Sequence, residues 1–228
     1  MNSQSIIVPK ISTLPVHEPR ARAIVRWLVR KNIIEEELTT CGRTGNGMAY
    51  AIAPGAREVV LHPEALPFGQ PVNGLEIITK RCIYTPSKGF LEEAGCAECR
   101  KEVGEALFDS LEDWMPGRTD NFTCPLCGHE DDINGFLFLQ PCAFSNLGFI
   151  FNNWAEAGFK QSFLDEFADW QYPDWGTAVR DFGAAGYSEA AQVYAVANAS
   201  GYSVTLSAAS MTPQTFAALN TQYGEETS

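Results

Sequence analysis

The sequence predicts an α+β protein, with a small mixed sheet, flanking helices and an embedded ribbon built on four cysteines. Three observations lead to this fold class. One segment has apolar residues at helical spacing, and several short segments have the composition of β-strands. Two Cys-x-x-Cys pairs lie on either side of a second helical segment, an arrangement typical of a metal-binding ribbon.

The first helix is predicted near the N-terminus, in the segment HEPRARAIVRWLVRKNII. Pro19 suits the first turn of a helix, where a missing backbone N–H costs nothing. Ile24, Trp27 and Leu28 follow at helical spacing, so they predict the face that packs on the rest of the protein.

The same helix carries an arginine stripe, which consists of Arg22, Arg26 and Arg30. Residues four apart lie along one face of a helix, so the three side chains share that face. Two interpretations are open. The stripe is a solvated or internally paired surface, or it is a docking surface for an acidic partner.

Short β-rich segments bounded by Gly, Pro or Asn predict the strands. In the first half of the chain these segments are MAYAIA, REVVLH and GLEIITKRCIY. Later, the apolar and aromatic stretch GFLFLQPCAFSNLGFIFNNW predicts further strands, and KQSFLDEFADW predicts a helix. Near the C-terminus we expect SEAAQVYAVANAS to be helical.

The two cysteine pairs predict a metal site at Cys96, Cys99, Cys124 and Cys127. Two residues between ligands let one tight turn direct both sulfur atoms at one ion, and four thiolates surround zinc tetrahedrally. The 24 residues between the pairs exceed the usual spacing of about 15 to 20, and the predicted helix KEVGEALFDSLEDWM accounts for the excess. Gly128 allows a positive φ in the second turn.

This predicted zinc site, with one ion per chain, is expected to be structural. Four cysteines close the coordination shell, whereas a catalytic zinc keeps an open position. A closed site contributes folding free energy, because the unfolded chain lacks it. His129 is an alternative ligand or a hydrogen-bond donor to a sulfur. Four reduced thiols or a redox pair are the other interpretations, and a matched second pair argues against the redox one.

Three more cysteines, Cys41, Cys82 and Cys142, lie in or near apolar stretches. A free cysteine in such a place usually behaves as a small buried hydrophobe. A nucleophile would need a lowered pKa and a neighbouring base, and the sequence places none of its three histidines beside a thiol.

The chain divides into four predicted segments. Residues 1–90 form an α+β N-terminal unit, and residues 91–135 form the zinc-ribbon insertion with its helix. Residues 136–175 form an aromatic strand–helix segment that completes the core, and residues 176–228 form a C-terminal extension rich in Ala, Ser and Gly.

Charge is distributed unevenly along the chain. The formal net charge is -12, and all of the acidic excess follows residue 101, because the residues before it carry a small basic excess. A protein with this much negative charge repels a phosphate backbone, so its charge disfavours general nucleic-acid binding and favours a basic protein partner.

The sequence also predicts a cytoplasmic protein without a membrane segment. No apolar run approaches the ~20 residues of a membrane-spanning helix. The first residues, MNSQSIIVPKIS, lack the features of a secretory signal. Paired Cys-x-x-Cys motifs with an odd cysteine total favour reduced thiols.

Five stretches of the chain also carry a resemblance to a known family. They are LPVHEPRARAIVRWLV, TCGRTGNGMAYAIAPGA, FLEEAGCAECR, TCPLCGHEDDINGFLFLQPC and NLGFIFNNWAEAGF. Over about residues 1–170 the chain resembles a family of bacterial proteins without an established activity, which automated labels often call a sugar ABC transporter ATPase. The resemblance implies the zinc site at the four cysteines.

The ATPase label does not fit this chain. A phosphate loop requires a lysine after its last glycine, and Met48 follows Gly47. The chain also departs from the family near Trp170. Members of the family end soon afterwards with a short strand, whereas more than fifty residues follow here, so the origin of the last sheet strand is open.

Together these observations predict a binding or adaptor protein. Structural zinc clips the helix of the ribbon onto the core, and the acidic surface recognises a protein partner, with an inhibitor or immunity-type factor as one form of this function. One alternative is an enzyme with a pocket near Phe149–Trp154. The other is a nucleic-acid accessory protein that uses the arginine stripe. No catalytic residue, substrate or oligomeric state is predicted.

Overall fold

The computed structural model describes residues 3–9, 11–42, 47–84, 92–138, 142–171, 192–198 and 201–206. Its main element is a seven-stranded sheet. Across the sheet the strands follow in the order β13 (Gly201–Leu206), β12 (Gln192–Asn198), β1 (Ser3–Pro9), β11 (Gly148–Asn152), β4 (Leu75–Ile78), β3 (Ala49–Ile52) and β2 (Ile34–Thr39). The described helices and antiparallel sheets agree with the α+β class.

The expected mixed sheet is wrong in one respect, because all described pairings are antiparallel. The helix α1 (His17–Arg30) connects β1 to β2, but three other strands lie between these two. The crossover therefore creates no parallel neighbours. β11, from the third predicted segment, pairs with both β1 and β4, so it completes the sheet begun by the first segment.

Six short strands form three separate pairs. These pairs are β5 (Cys82–Tyr84) with β10 (Ala143–Ser145), β6 (Ala94–Gly95) with β9 (Leu137–Phe138), and β7 (Asn121–Thr123) with β8 (Glu130–Asp132). Between β6 and β7 lie two short helices, α2 (Gly104–Asp109) and α3 (Leu111–Trp114). We call the part of the chain that contains the last two strand pairs and these helices, residues 94–138, the ribbon.

One face of the main sheet is covered by α1 and α4 (Gln161–Gln171). As predicted, Ile24, Trp27 and Leu28 of α1 are buried. The Trp27 ring stacks on Phe163 of α4, with ring centroids 6.0 Å apart. Among the helices that the structure describes, none is both long and apolar enough to cross a membrane.

The strands β1 and β11 supply apolar residues to both faces of the sheet. Ile7 of β1 faces the two helices, whereas its neighbours Ile6 and Val8 join a second cluster with Tyr84 and Ile150. Successive side chains of a strand point to opposite faces, so this alternation buries both. The second cluster lies next to the β5–β10 pair and leads toward the ribbon.

The segment SEAAQVYAVANAS was expected to be helical, and this expectation is wrong for its central part. Residues 192–198 form β12, which pairs antiparallel with β1 along seven residues, from Ser3 with Asn198 to Pro9 with Gln192. β-Branched and aromatic residues favour strands, and the edge of β1 offers the backbone partners. The last strands of the sheet thus come from the C-terminal extension. The remainder of residues 176–228 lies outside the described residues.

The segment REVVLH does not form a strand of the sheet either. A short 3-10 helix occupies Pro54–Glu58, and beyond it only Val60 makes an isolated bridge, to Phe159. Pro54 lies at the start of this 3-10 helix, where its fixed φ is compatible with a helical turn.

Candidate metal centre

The first cysteine pair lies in a tight loop that follows β6. The backbone N–H of Cys96 donates to the carbonyl of Lys101 at 3.0 Å, and the N–H of Arg100 donates back to the carbonyl of Cys96 at 3.0 Å. These two bonds close the chain on itself, so Cys96 and Cys99 lie on the same side of one turn.

The second pair lies in the turn of the β7–β8 hairpin and repeats this pattern. The N–H of Cys124 donates to the carbonyl of His129 at 2.7 Å, and the N–H of Gly128 donates to the carbonyl of Cys124 at 2.9 Å. Both bonds join residues at the same sequence separations as in the first loop. The two halves of the ribbon therefore present their sulfur atoms through the same backbone turn.

Each loop contains a residue with positive φ directly after its second cysteine. Gly128 has φ +78°, which confirms the prediction for this glycine, and Arg100 has φ 62° at the equivalent position. A non-glycine residue adopts this conformation at a cost in free energy. The first loop thus keeps the geometry with a less suitable residue, a sign that the turn itself is required.

The four thiols meet at one point. The sulfur atoms of Cys96, Cys99, Cys124 and Cys127 all lie within 4.8 Å of one another. Two contacts join the two loops, at 3.7 Å between the sulfur atoms of Cys96 and Cys127 and at 3.9 Å between those of Cys99 and Cys124. A tetrahedral ion with metal–sulfur bonds of about 2.3 Å separates its sulfur ligands by about 3.8 Å. The quartet can therefore hold a metal ion.

The surroundings of the thiols shift their pKa values in opposite directions. Burial acts to raise the pKa of Cys124, but hydrogen bonds from the backbone of Leu126 and Cys127 and from neighbouring thiols outweigh it and lower this pKa to about 7. At Cys127 the backbone N–H of His129 acts to lower the pKa, but desolvation and the other thiols raise it to about 12. The lowered pKa of Cys124 favours its thiolate, which is the form that binds metal.

His129 is not part of the group of close ligand atoms. Its ring lies against Phe136, with centroids 5.9 Å apart, and its Nε2 is 3.9 Å from the Asp131 carboxylate, beyond hydrogen-bond distance. His129 contributes to the site through its backbone carbonyl, which accepts the hydrogen bond from the N–H of Cys124. The structure therefore favours four thiols over a ligand set that includes the imidazole.

The ribbon has an apolar core of its own. The residues of the intervening helical segment that share one face are buried, and these are Val103, Leu107, Leu111 and Trp114. The predicted single helix is broken at Ser110, whose hydroxyl donates to the carbonyl of Leu107 at 2.6 Å. Such a local bond competes with the helical backbone bonds.

This core continues past residue 135, the predicted end of the ribbon. Phe136, Phe138, Cys142 and Phe144 belong to the same cluster. The side chain of Asn134 donates to the carbonyl of Phe144 at 2.6 Å and accepts from its N–H at 3.0 Å. The side-chain amide of Asn134 thus makes the same pair of hydrogen bonds with Phe144 as the backbone of a neighbouring strand would, and it connects the ribbon to β10.

A polar network, which sequence reasoning missed, joins the ribbon to the segment between β1 and α1. Asp132 accepts hydrogen bonds from the N–H and the hydroxyl of Ser12, both at 2.8 Å, and the Trp114 indole donates to the Ser12 hydroxyl at 3.2 Å. Burial raises the pKa of Asp132 to about 6 despite these bonds. The only sequence signal is the Asp-x-Asn pattern at Asp132 and Asn134, which suits a cap.

Arg81, directly before β5, stabilises the same contact between the ribbon and the rest of the protein. It donates to the carbonyls of Trp114 at 2.6 Å and Thr119 at 2.8 Å, and to the Asp120 carboxylate at 2.6 Å. The hydrogen bond from Arg81 lowers the pKa of Asp120. The four-cysteine ribbon is therefore held to the rest of the protein by polar contacts as well as apolar ones.

The remaining cysteines are separate from the quartet. Cys41 and Cys142 are buried, as expected of small hydrophobes, and Cys82 is half-buried. The thiol of Cys41 donates to the carbonyl of Ala49 at 3.3 Å. Burial raises the pKa of Cys142 well above its usual value, which opposes any role as a nucleophile.

The segment Phe149–Trp154, the pocket of the enzyme hypothesis, is fully buried. Its polar side chains donate hydrogen bonds to the turn that precedes β4. The side chains of Asn152, Asn153 and Trp154 donate to the carbonyls of residues 74, 72 and 73, at distances between 2.7 and 2.9 Å. These side chains hold a turn in place, so they do not form the edge of a pocket.

Comparison of the chain with protein-family models, with curated proteins and with solved structures found no match. The fold and the site themselves define an α+β protein with a four-cysteine group that can hold a metal ion.

Proposed function

We propose that the protein is a zinc protein, in which a closed four-cysteine site stabilises a ribbon that recognises another protein. The observation that carries the first part is the quartet of sulfur atoms within 4.8 Å, presented by two matching loops. Four thiolates leave no open position for a substrate, so the role of the ion is structural.

The donor set narrows the metal to two candidates. Tetrahedral sites made of four thiolates hold zinc or iron, because soft sulfur ligands suit both. Zinc is the proposal because structural sites with this ligand spacing are typical of zinc ribbons. An iron site would be coloured, whereas zinc has no redox chemistry and no visible absorption of its own.

Metal analysis of untagged protein, purified without chelator, should find about one zinc per chain and no visible absorption band. Cys124→Ser should lose most of this zinc. Cys82→Ser, at a half-buried cysteine outside the quartet, should keep it. A stoichiometric iron content, or equal zinc in the two variants, would contradict the proposal.

The partner-recognition part of the proposal is supported by charge. Residues 92–138 contain twelve acidic and three basic residues. Glu105, Asp109 and Glu112 are exposed on the two ribbon helices, and we call them the acidic face. Asp113 beside them is paired with Arg118 at 3.0 Å. A basic protein is the partner that complements such a surface, as expected of an inhibitor or immunity-type factor.

Affinity capture with the zinc-loaded protein should recover a discrete basic protein that is released when salt shortens the screening length to below about 5 Å. The variant E105Q/D109N/E112Q should lose this partner. The matched control E35Q/E36Q/E37Q, on three exposed carboxylates of the edge strand β2, should retain it. Equal capture by both variants, or no basic protein at all, would refute recognition through the acidic face.

A further inference from the structure

A groove runs between α1 and the neighbouring strands of the main sheet, and it shares no residue with the cysteine quartet. Its volume is about 710 Å³. The helix side carries the arginine stripe together with Val25 and Val29, and the sheet side carries Tyr50 and Ile77. Pockets for small ligands usually fall in the range of about 300 to 1,000 Å³.

The floor of the groove is apolar for a structural reason. α1 packs on the sheet through its fully buried face, and the adjacent Val25 and Val29 cover the sheet only in part. Tyr50 of β3 and Ile77 of β4 are half-buried for the same reason. These four side chains form a continuous lining that gains from contact with an apolar ligand body.

The rim is cationic. Arg22, Arg26 and Arg30 are exposed, and successive members are about 6 Å apart along the helix axis. Among the described residues, no carboxylate forms a salt bridge with any of the three, so the internally paired interpretation of the stripe finds no support in this part of the chain. Glu18 and Glu36 also line the groove but stay beyond salt-bridge distance.

Some other cations of the described chain are paired with carboxylates. Lys31, directly after α1, contacts Glu166 at 2.6 Å, and Arg81 contacts Asp120 at 2.6 Å. The stripe therefore places three adjacent guanidinium groups, without a carboxylate partner among the described residues, on one helix of a chain of net charge -12. Arginine is also the side chain best suited to hold a carboxylate or phosphate through paired hydrogen bonds.

We propose that this groove binds a small amphipathic anion, which consists of a carboxylate or phosphate head on an apolar body. The head contacts the arginine stripe, and the body lies on the floor formed by Val25, Val29, Tyr50 and Ile77. A free inorganic anion would leave this floor uncovered. A nucleic acid would bring a row of phosphates past Glu18 and Glu36, which repel them.

Fluorescence titration of the full-length, zinc-loaded protein with 8-anilinonaphthalene-1-sulfonate tests the proposal, because this dye is itself an amphipathic anion. We expect saturable binding of one dye per chain, displaced by decanoate and by phenyl phosphate but not by inorganic phosphate. Displacement by only one of the two organic anions identifies the preferred head group and still supports the site.

Variants locate the binding. R26Q/R30Q should weaken dye affinity by about tenfold or more, because the loss of one hydrogen bond to a charged group typically lowers affinity by about tenfold. V29T should weaken it less. The control R57Q/R118Q, which removes the same charge from two exposed arginines outside the groove, should leave affinity unchanged.

Three results would overturn the proposal. They are equal dye affinity in the stripe variant and the control, displacement by inorganic phosphate as effective as by phenyl phosphate, and tight binding of oligothymidylate that increases with its length. The last result would assign the groove to a nucleic acid.

Discussion

Removal of zinc, or the Cys124→Ser substitution, is expected to unfold the ribbon while the seven-stranded sheet stays folded. Strands β6 to β9 are only two or three residues long, so few backbone bonds hold them. A module of this size seldom folds without a staple such as a metal. Structural zinc contributes about 10 to 16 kcal/mol in isolated finger peptides, so the ribbon should lose all of its stability.

The main sheet should survive because its core is separate. The apolar cluster beneath α1 and α4 shares no residue with the cluster of the ribbon. Hydrogen exchange followed by mass spectrometry should therefore show rapid exchange in residues 92–138 of the metal-free protein. Residues of β1 and β11 should remain protected.

Cys82→Ser is the control, since it removes a thiol outside the quartet. It should leave exchange in the ribbon unchanged. Rapid exchange throughout the sheet on zinc removal would contradict the independence of the two cores. Unchanged exchange everywhere would contradict the structural role of the metal.

The four-cysteine group could be predicted from sequence because its determinants are local. Each Cys-x-x-Cys loop spans a few residues, and the turn itself favours a glycine at position 128. The burial of Ile24, Trp27 and Leu28 could be predicted for the same reason, since helical spacing alone defines that face.

Features that depend on distant residues could not be predicted. Ser12 and Asp132 meet across 120 positions of sequence, and the cap pattern at Asp132 does not indicate Ser12 as its partner. The strand at residues 192–198 forms because β1 offers its edge, which overrides the helical expectation for an alanine-rich segment. Likewise, the arginine stripe was visible in the sequence, but the groove beside it is created by the sheet.

Trp114→Ala is expected to have the second-largest effect, a loss of about 3 to 5 kcal/mol in the free energy of unfolding. Trp114 is fully buried in the ribbon and packs edge-on against Phe144, with ring centroids 6.1 Å apart. The Arg81 guanidinium lies 5.1 Å from its ring centroid, and its indole donates to Ser12. Alanine would leave a cavity at the joint and remove both polar contacts.

Trp114→Phe separates packing from hydrogen bonding at this joint. Phenylalanine keeps much of the apolar contact with Phe144 but cannot donate a hydrogen bond to Ser12. The lost hydrogen bond should lower the free energy of unfolding by about 1 kcal/mol, in addition to the loss from the smaller ring. Urea unfolding of the zinc-loaded variants measures both changes, and Ser12→Ala provides the hydrogen-bond loss alone. If phenylalanine and alanine were equally destabilising, the hydrogen bond would dominate over packing, and the ribbon would be docked chiefly by its polar network. Emptying a well-packed core site of this size costs free energy. If neither substitution reduced the free energy of unfolding, the role of Trp114 in holding the ribbon to the rest of the protein would be contradicted.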